Sequence, residues 1–301
     1  MSLQPGTLPA VWLARRAGLA DYLELTKPGI TGLILFSTAV GFYLGSHDGL
    51  RLLPLIHTII GTALVASGTA TLNQYWEREA DAKMWRTRSR PLPMGRIAPW
   101  KALWFGAVLS IAGTIYLWQQ VNSLSAALAA LTLLSYLFLY TPLKTRTPMC
   151  TLVGSFPGAV PPLIGWAAAD GTLPMTAWVL YGILFLWQFP HFYSIAWLYR
   201  DDYERAGIAM LPVVEPDGES TARRIVIYAL ILLPFSLIPT WLGVTGPIYL
   251  GGAFFLGAAY LYSAMRTARA KTKLEARRLL QASVIYLPLL YGLMLIDKTV
   301  R

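Results

Sequence analysis

Apolar positions in this chain are continuous rather than periodic. Runs of roughly 17 to 20 residues without a charge recur from one end to the other, beginning with Ile30 to Ser46 and Leu53 to Leu72, and this is the length at which an α-helix crosses a bilayer. Read between charges and turn residues, the pattern predicts nine spans, near 30–46, 53–73, 101–119, 124–140, 151–168, 175–198, 223–242, 247–264 and 280–296. A backbone in lipid must satisfy its own hydrogen bonds, so these are helices and not isolated strands. The predicted fold class is an all-α integral membrane protein, a bundle of about nine transmembrane helices.

Composition sharpens that picture by exclusion. The 301 residues are 55% hydrophobic and 13% charged, about half the charge of a soluble domain. Aromatic residues at 13%, including 11 Trp, and the lack of repeats exclude a disordered or collagen-like chain. The single cysteine, Cys150, excludes an intramolecular disulfide framework and a multi-cysteine metal site, and with no base evident beside it reads as a packing residue. Residues Met1 to Thr26 show no apolar core followed by cleavage chemistry, so no removable signal peptide is expected. The absence of a long Arg- and Ser-rich presequence favours a bacterial inner membrane over a mitochondrial one.

Charge then assigns sides. Of 25 Lys and Arg residues, 22 fall before the first span or in alternate loops, and only 3 fall in the opposite loops or the C-terminus. This bias predicts a cytoplasmic N-terminus with cytoplasmic large loops, and an outside C-terminus. The net charge of +10 is thus mostly topological. No segment outside the membrane is large enough for a nucleic-acid-binding surface, and none is expected.

Nine of the 15 acids sit in two of those loops, at 77–81 and 201–219, on the same predicted side. In TLNQYWEREADAK the residues Asn73, Glu77 and Asp81 are spaced i, i+4, i+8 and line one face of a helix leaving the bilayer. Stacked carboxylates repel by a few tenths of a kcal/mol per pair, which a bound cation would offset. Oxygen ligands with no nearby Cys or His favour Mg²⁺ over zinc. Lys83, Arg86, Arg88, Arg90 and Arg96 follow, and arginine forks beside acids suit metal-bridged diphosphate. The same spacing also fits an ordinary, mutually paired helix end. The second cluster places Asp201 and Asp202 between Arg200 and Arg205, with Tyr199 and Tyr203 flanking, and a salt-bridged cap is equally open there.

Six ordered segments, NQYWEREAD, RTRSRPL with GRI after it, YTPLK, PPLIGW, QFPHF and RDDYERAGI, carry a resemblance to the UbiA-type intramembrane prenyltransferases, in particular their heme-prenylating branch. The similarity runs from LTKPGI at 25–30 to the last spans. It implies one prenyltransferase domain over 1–301, comprising a cytoplasmic N-terminal segment (1–26), nine helices around a central cavity open to the cytoplasm, and active-site loops at 77–100 and 199–222. It implies Mg²⁺ as cofactor, farnesyl diphosphate as donor and heme b as acceptor, giving heme O. Membrane lipid and a heme A synthase or terminal oxidase assembly are the implied partners.

Carried over position by position, the resemblance makes Asn73, Glu77, Asp81, Asp201 and Asp202 the catalytic set, with Asn73, Glu77, Asp81 and Asp202 as metal ligands. It assigns Lys27, Arg86, Arg88, Arg90, Tyr140, Lys144 and Arg200 to the diphosphate. The chain departs from other branches where Tyr199 and Tyr203 replace an Asp-x-x-x-Asp pair, and where Cys150 stands near an expected Asn.

The implied chemistry is electrophilic alkylation of a heme vinyl group, with water kept from the allylic cation. Trp76, Trp166, Trp187 and Trp197 are candidate cavity walls, or else core and interfacial residues. Of three histidines, only His191, in QFPHF, lies near the acids; it either contacts heme or bridges helices. Three other activities stay open: prenylation of an aromatic or quinone-precursor acceptor, non-catalytic heme binding, and transport.

Overall fold

Each apolar run folds as a helix in the computed structural model, which describes residues 17–47 and 49–299. Residues 1–16 of the expected N-terminal segment, with Arg15 and Arg16, lie outside the described residues. Among the described residues nine helices are long and apolar enough to cross a bilayer: α1 (Pro28–Gly45), α2 (Leu52–Lys83), α3 (Pro99–Gln120), α4 (Ser123–Leu143), α5 (Cys150–Asp170), α6 (Met175–Leu198), α7 (Glu219–Trp241), α8 (Pro247–Ala270) and α9 (Lys273–Ile296). There is no strand among them, and the chain is an all-α integral membrane protein. Ile111, Trp104, Phe255 and other large apolar side chains point outward, as they must where the neighbour is lipid.

Helix α2 runs to Lys83, well past the end of its apolar run. Residues 73–83 hold Glu, Arg, Ala and Lys with no Gly or Pro, so hydropathy falls while helix propensity does not. The acid row is therefore helical.

Two helices are irregular, and both irregularities trace to proline. In α4, Pro142 has no N–H to give the carbonyl of Phe138, and the preceding turn widens into a π-helix over Tyr136–Tyr140. Thr141 answers by donating both its N–H and its hydroxyl to the Tyr136 carbonyl. In α5, Pro157 and Pro161 divide the span into Cys150–Gly158 and Pro161–Asp170. The Ser155 carbonyl freed at the break accepts from Gln188 Nε2 of α6 at 3.2 Å. Gly158 makes room for that amide, since a Cβ there would stand 2.1 Å from Gln188 Oε1.

Packing follows the small residues. The second half of α5 lies against α1, with Gly41 facing the Pro162 carbonyl and Gly165 facing that of Thr38. Any Cβ at either position would fall inside the other backbone, so both helices approach as close as membrane helices can. Helix α6 sits among α5, α7 and α9, and α9 also meets α1 to close the bundle. Its core there is aromatic, with Trp187, Phe189, Tyr193, Tyr260 and Tyr286 buried.

The two ends differ. One carries a short helix Leu19–Leu25, the loop 84–98, and the segment 199–218 with helices Arg200–Arg205 and Leu211–Val214. The other has short connections, and there Lys298 Nζ donates to the Tyr43 and Ser46 carbonyls at the end of α1, at 2.7 Å each.

Candidate active site

One face of α2 supplies the first part of the site. Asn73, Glu77 and Asp81 stand one turn apart, and each meets a cation from a different element. Asn73 Oδ1 accepts from Lys27 Nζ at 2.9 Å, Glu77 Oε1 from Lys144 Nζ at 2.6 Å, and Asp81 Oδ2 from Arg90 Nη1 at 2.7 Å. Asn73 Nδ2 donates to Thr141 Oγ1 at 3.3 Å, which ties the row to the widened end of α4. That widening also sets the Tyr140 ring under Lys144 Nζ, 4.4 Å from its centroid.

The cations are held under tension. Lys27 precedes Pro28 in a left-handed conformation with φ of 48°. Its burial, together with the nearby Arg90 guanidinium, lowers its pKa to about 8. Burial also opposes the charge on Lys144, but the Glu77 carboxylate overcomes it and holds that ammonium well above the usual lysine range.

The second acid cluster is built differently. The Asp202 carboxylate is buried and accepts the backbone N–H groups of Trp85 and Arg86, at 3.2 Å each, and the Arg205 guanidinium. It thus pins the turn that follows α2. The Arg86 guanidinium lies 4.6 Å from the Tyr199 ring centroid and 5.6 Å from that of Tyr203, and donates to the Tyr203 hydroxyl at 3.2 Å. Asp201 is exposed, and its ion pair with Lys273 at 2.7 Å holds its carboxyl below the usual range. Arg88 stacks on Trp85, and Arg200 donates to the Pro216 carbonyl at 3.3 Å.

The residues singled out by sequence therefore divide. Lys27, Asn73, Glu77, Asp81, Arg90, Tyr140 and Lys144 converge directly; Asp202 and Arg86 adjoin them through the turn at 84–90. Asp201, Arg88 and Arg200 make their contacts outside this cluster. His191, in α6, shares a 2.7 Å hydrogen bond between Nδ1 and the Ser283 hydroxyl of α9 and stacks on Trp187, 4.7 Å between centroids. Trp166 and Trp187 are buried, whereas Trp76 is half exposed with its edge on Phe138.

Sequence reasoning gave no role to Thr141 or Gln74, and it grouped Arg96 with the diphosphate-facing arginines, whereas its guanidinium is taken up by two acids of the N-terminal segment. Gln74 donates to the Glu24 and Leu25 carbonyls, and the Arg96 fork takes Asp21 at 2.6 Å and Glu24 at 3.0 Å. Together they dock the Leu19–Leu25 helix beside Lys27. The run GRI contains Arg96, but nothing in its spacing points to acids some 70 positions earlier. Two clefts, of about 570 and 470 Å³, open at this end of the bundle. The first includes Lys27, Gln74 and Arg90 in its wall, and the second Arg86, Tyr199 and Asp202.

The donor set fits a hard divalent cation. It is all oxygen, and Asp81 Oδ1 is buried with no hydrogen-bond partner, an arrangement that costs about 1–3 kcal/mol or more unless something binds there. The protein acids lie along a helix, not around a point, so phosphate oxygens would have to complete a coordination shell.

This helical membrane bundle gathers an acid row and converging cations at one end, and its class follows from its relatives: the chain belongs to the UbiA prenyltransferase family, whose pattern matches residues 34–287. It is a membrane prenyltransferase. Among curated relatives it is 58% identical to the protoheme IX farnesyltransferase of Solibacter usitatus, over 93% of this chain and 99% of the relative. It is 48% identical to the protein of the same name from Koribacter versatilis, over 94% of each. Solved structures share the fold. A digeranylgeranylglyceryl phosphate synthase superposes with a TM-score of 0.78 at 19% identity, covering 93% of this chain and 98% of the other. A UbiA homologue from Archaeoglobus fulgidus bound to DMAPP and Mg²⁺ gives 0.66 at 14%, covering 91% and 99%.

Proposed function

We propose that this chain transfers the farnesyl group of farnesyl diphosphate to a vinyl group of heme b, with addition of water, to give heme O. The observation that carries the donor half is the matched row: three oxygen-bearing side chains on one helix face, each opposed by its own cation. The acceptor half is supported by the names of its relatives and by His191 within the helical core.

Asn73, Glu77 and Asp81 would hold Mg²⁺, which when bound neutralises charge on the diphosphate. Lys27, Lys144 and Arg90 bind the remaining diphosphate oxygens and stabilise the negative charge that grows there as the allylic C–O bond breaks. The vinyl π electrons form the new C–C bond to farnesyl C1. The cation left on the carbon next to the porphyrin takes a water, which loses a proton to become the hydroxyl group. The aromatic interior keeps water from the allylic cation until that bond forms. His191, held by Ser283, orients or ligates the heme.

In this reading residues 1–301 form one domain in a bacterial inner membrane. The row and large loops face the cytoplasm and the C-terminus faces out, as the 22-to-3 distribution of basic residues supports. A heme A synthase or a terminal oxidase assembly receives the product.

Purified protein in detergent, given heme b, farnesyl diphosphate and Mg²⁺, is expected to form heme O by mass spectrometry. Formation is expected to fall at least about a hundredfold in Asp81→Ala, as for loss of a main electrostatic element, and to stop in EDTA. Turnover of a quinone precursor with no reaction on heme would overturn the assignment of the acceptor.

A further inference from the structure

We propose that the site takes one divalent cation, at the α2 row, and that the second acid cluster contributes no metal ligand: there the Arg86 guanidinium is the cation, with Asp202 as its positioning residue. This rests on the reading of the row as a diphosphate site.

The two aspartates differ in what their oxygens have left to give. Asp81 keeps a buried oxygen with no partner. Asp202 spends one oxygen on the Trp85 N–H and the Arg205 guanidinium, and the other on the Arg86 N–H. A metal on Asp202 would strip two backbone N–H groups of their acceptor and release the turn they hold. Asp201 offers no substitute, being exposed and paired with Lys273.

The neighbours of that carboxylate already hold a positive charge. Tyr199 and Tyr203 sit one helical turn apart and turn their rings to Arg86, whose guanidinium also donates to the Tyr203 hydroxyl. Neutral phenols are poor ligands for Mg²⁺, whereas aromatic faces suit a guanidinium. The clamp acts at both ends of one residue: Asp202 fixes the backbone of Arg86 and the tyrosines fix its head. A guanidinium stays charged at every working pH, and its planar fork matches two phosphate oxygens. It lies at the edge of the cleft that opens beside Asp202.

The test counts cations and does not depend on heme. Full-length protein in detergent is titrated with Mn²⁺ in the presence of inorganic diphosphate, and bound Mn²⁺ is read by electron paramagnetic resonance. One per chain is expected in wild type and in Asp202→Asn, and none in Asp81→Asn. Two in wild type, or loss of one in Asp202→Asn, overturns the proposal. Diphosphate affinity at saturating Mn²⁺ is expected to fall about tenfold or more in Arg86→Gly and Asp202→Asn, the scale of one charge-assisted contact. Guanidinium ion in millimolar amounts is expected to restore it in Arg86→Gly; restoration by extra Mn²⁺ instead would overturn the assignment. Tyr203→Phe, which keeps the ring, separates loss of the seat from loss of folding: it is expected to retain most of the affinity. Heme O formation alongside two bound cations would leave the proposed function intact while sinking this inference.

Discussion

Lys27 is the residue on which conformation and chemistry pull hardest against each other. A non-glycine residue in the left-handed region costs on the order of 1 kcal/mol, and its place before Pro28 narrows the alternatives further. Its ammonium nevertheless reaches Asn73, the first member of the row. Lys27→Gly relieves the backbone and removes a buried charge, so it is expected to melt at or above the wild-type temperature while its KM for the prenyl diphosphate rises about tenfold, the loss of one charge-assisted contact. A variant that melts lower with an unchanged KM would show that Lys27 serves the fold alone. The row itself was legible in the sequence, because a spacing of four on a helix admits one geometry. Its partners were not legible from spacing, since Lys27, Arg90 and Lys144 come from three other segments. Only the resemblance singled out Lys27 and Lys144.

At the scale of elements, one proline helps set where the site sits. The π-turn before Pro142 rotates Tyr140, Thr141 and Lys144 together toward α2. Pro142→Ala restores the missing N–H and permits a regular helix, which re-aims Lys144. The variant is expected to be at least as stable as wild type and at least about tenfold slower, the cost of one misplaced electrostatic contact; stability and kcat are read side by side. Across the bundle, Gln188 spans the break in α5. Gln188→Leu leaves the Ser155 carbonyl without that donor, and is expected to cost about 1–3 kcal/mol of stability, measured by unfolding in detergent. The apolar runs announced nine helices, but neither the π-turn nor the Gln188 bridge follows from hydropathy. Both arise from prolines and from the groups that answer them, Thr141 in the same helix and Gln188 in the next. The same holds for two of the three partners of Asp202, the Trp85 and Arg86 backbone N–H groups, which carry no signature in sequence, unlike Arg205 three positions on.

For the molecule as a whole, the loop charges and the fold agree on which segments share an end. Ion pairs join Leu19–Leu25 to the 84–98 loop and the 199–218 segment to α9, all at the end that holds the row. The lone Cys150 is fully buried, so cysteines placed elsewhere report with little background. Labelling of intact cells with an impermeant maleimide is expected to modify Thr172→Cys but to reach Asp217→Cys only after permeabilisation. The reverse pattern would invert the orientation. Sequence sufficed for the number of spans among the described residues and for which loops share an end, because lipid imposes length and the basic residues gather in alternate loops. It was silent on which helices touch.

One of those contacts bears on how the protein is made. The hydrogen bond from Lys298 to the Tyr43 carbonyl joins residues 255 positions apart, and α9 packs on α1. A chain synthesised from its N-terminus makes α1 before any other of these helices and supplies the partner of that helix's C-terminal end only after α9. Until the final helix arrives, α1 faces lipid along the strip that α9 will cover, and its last carbonyls wait for their lysine. Closure of the bundle on α1 therefore waits for α9 and the lysine that follows it. A ribosome that stalls within α9 releases a chain carrying every residue of the acid row and its cations inside an unclosed ring.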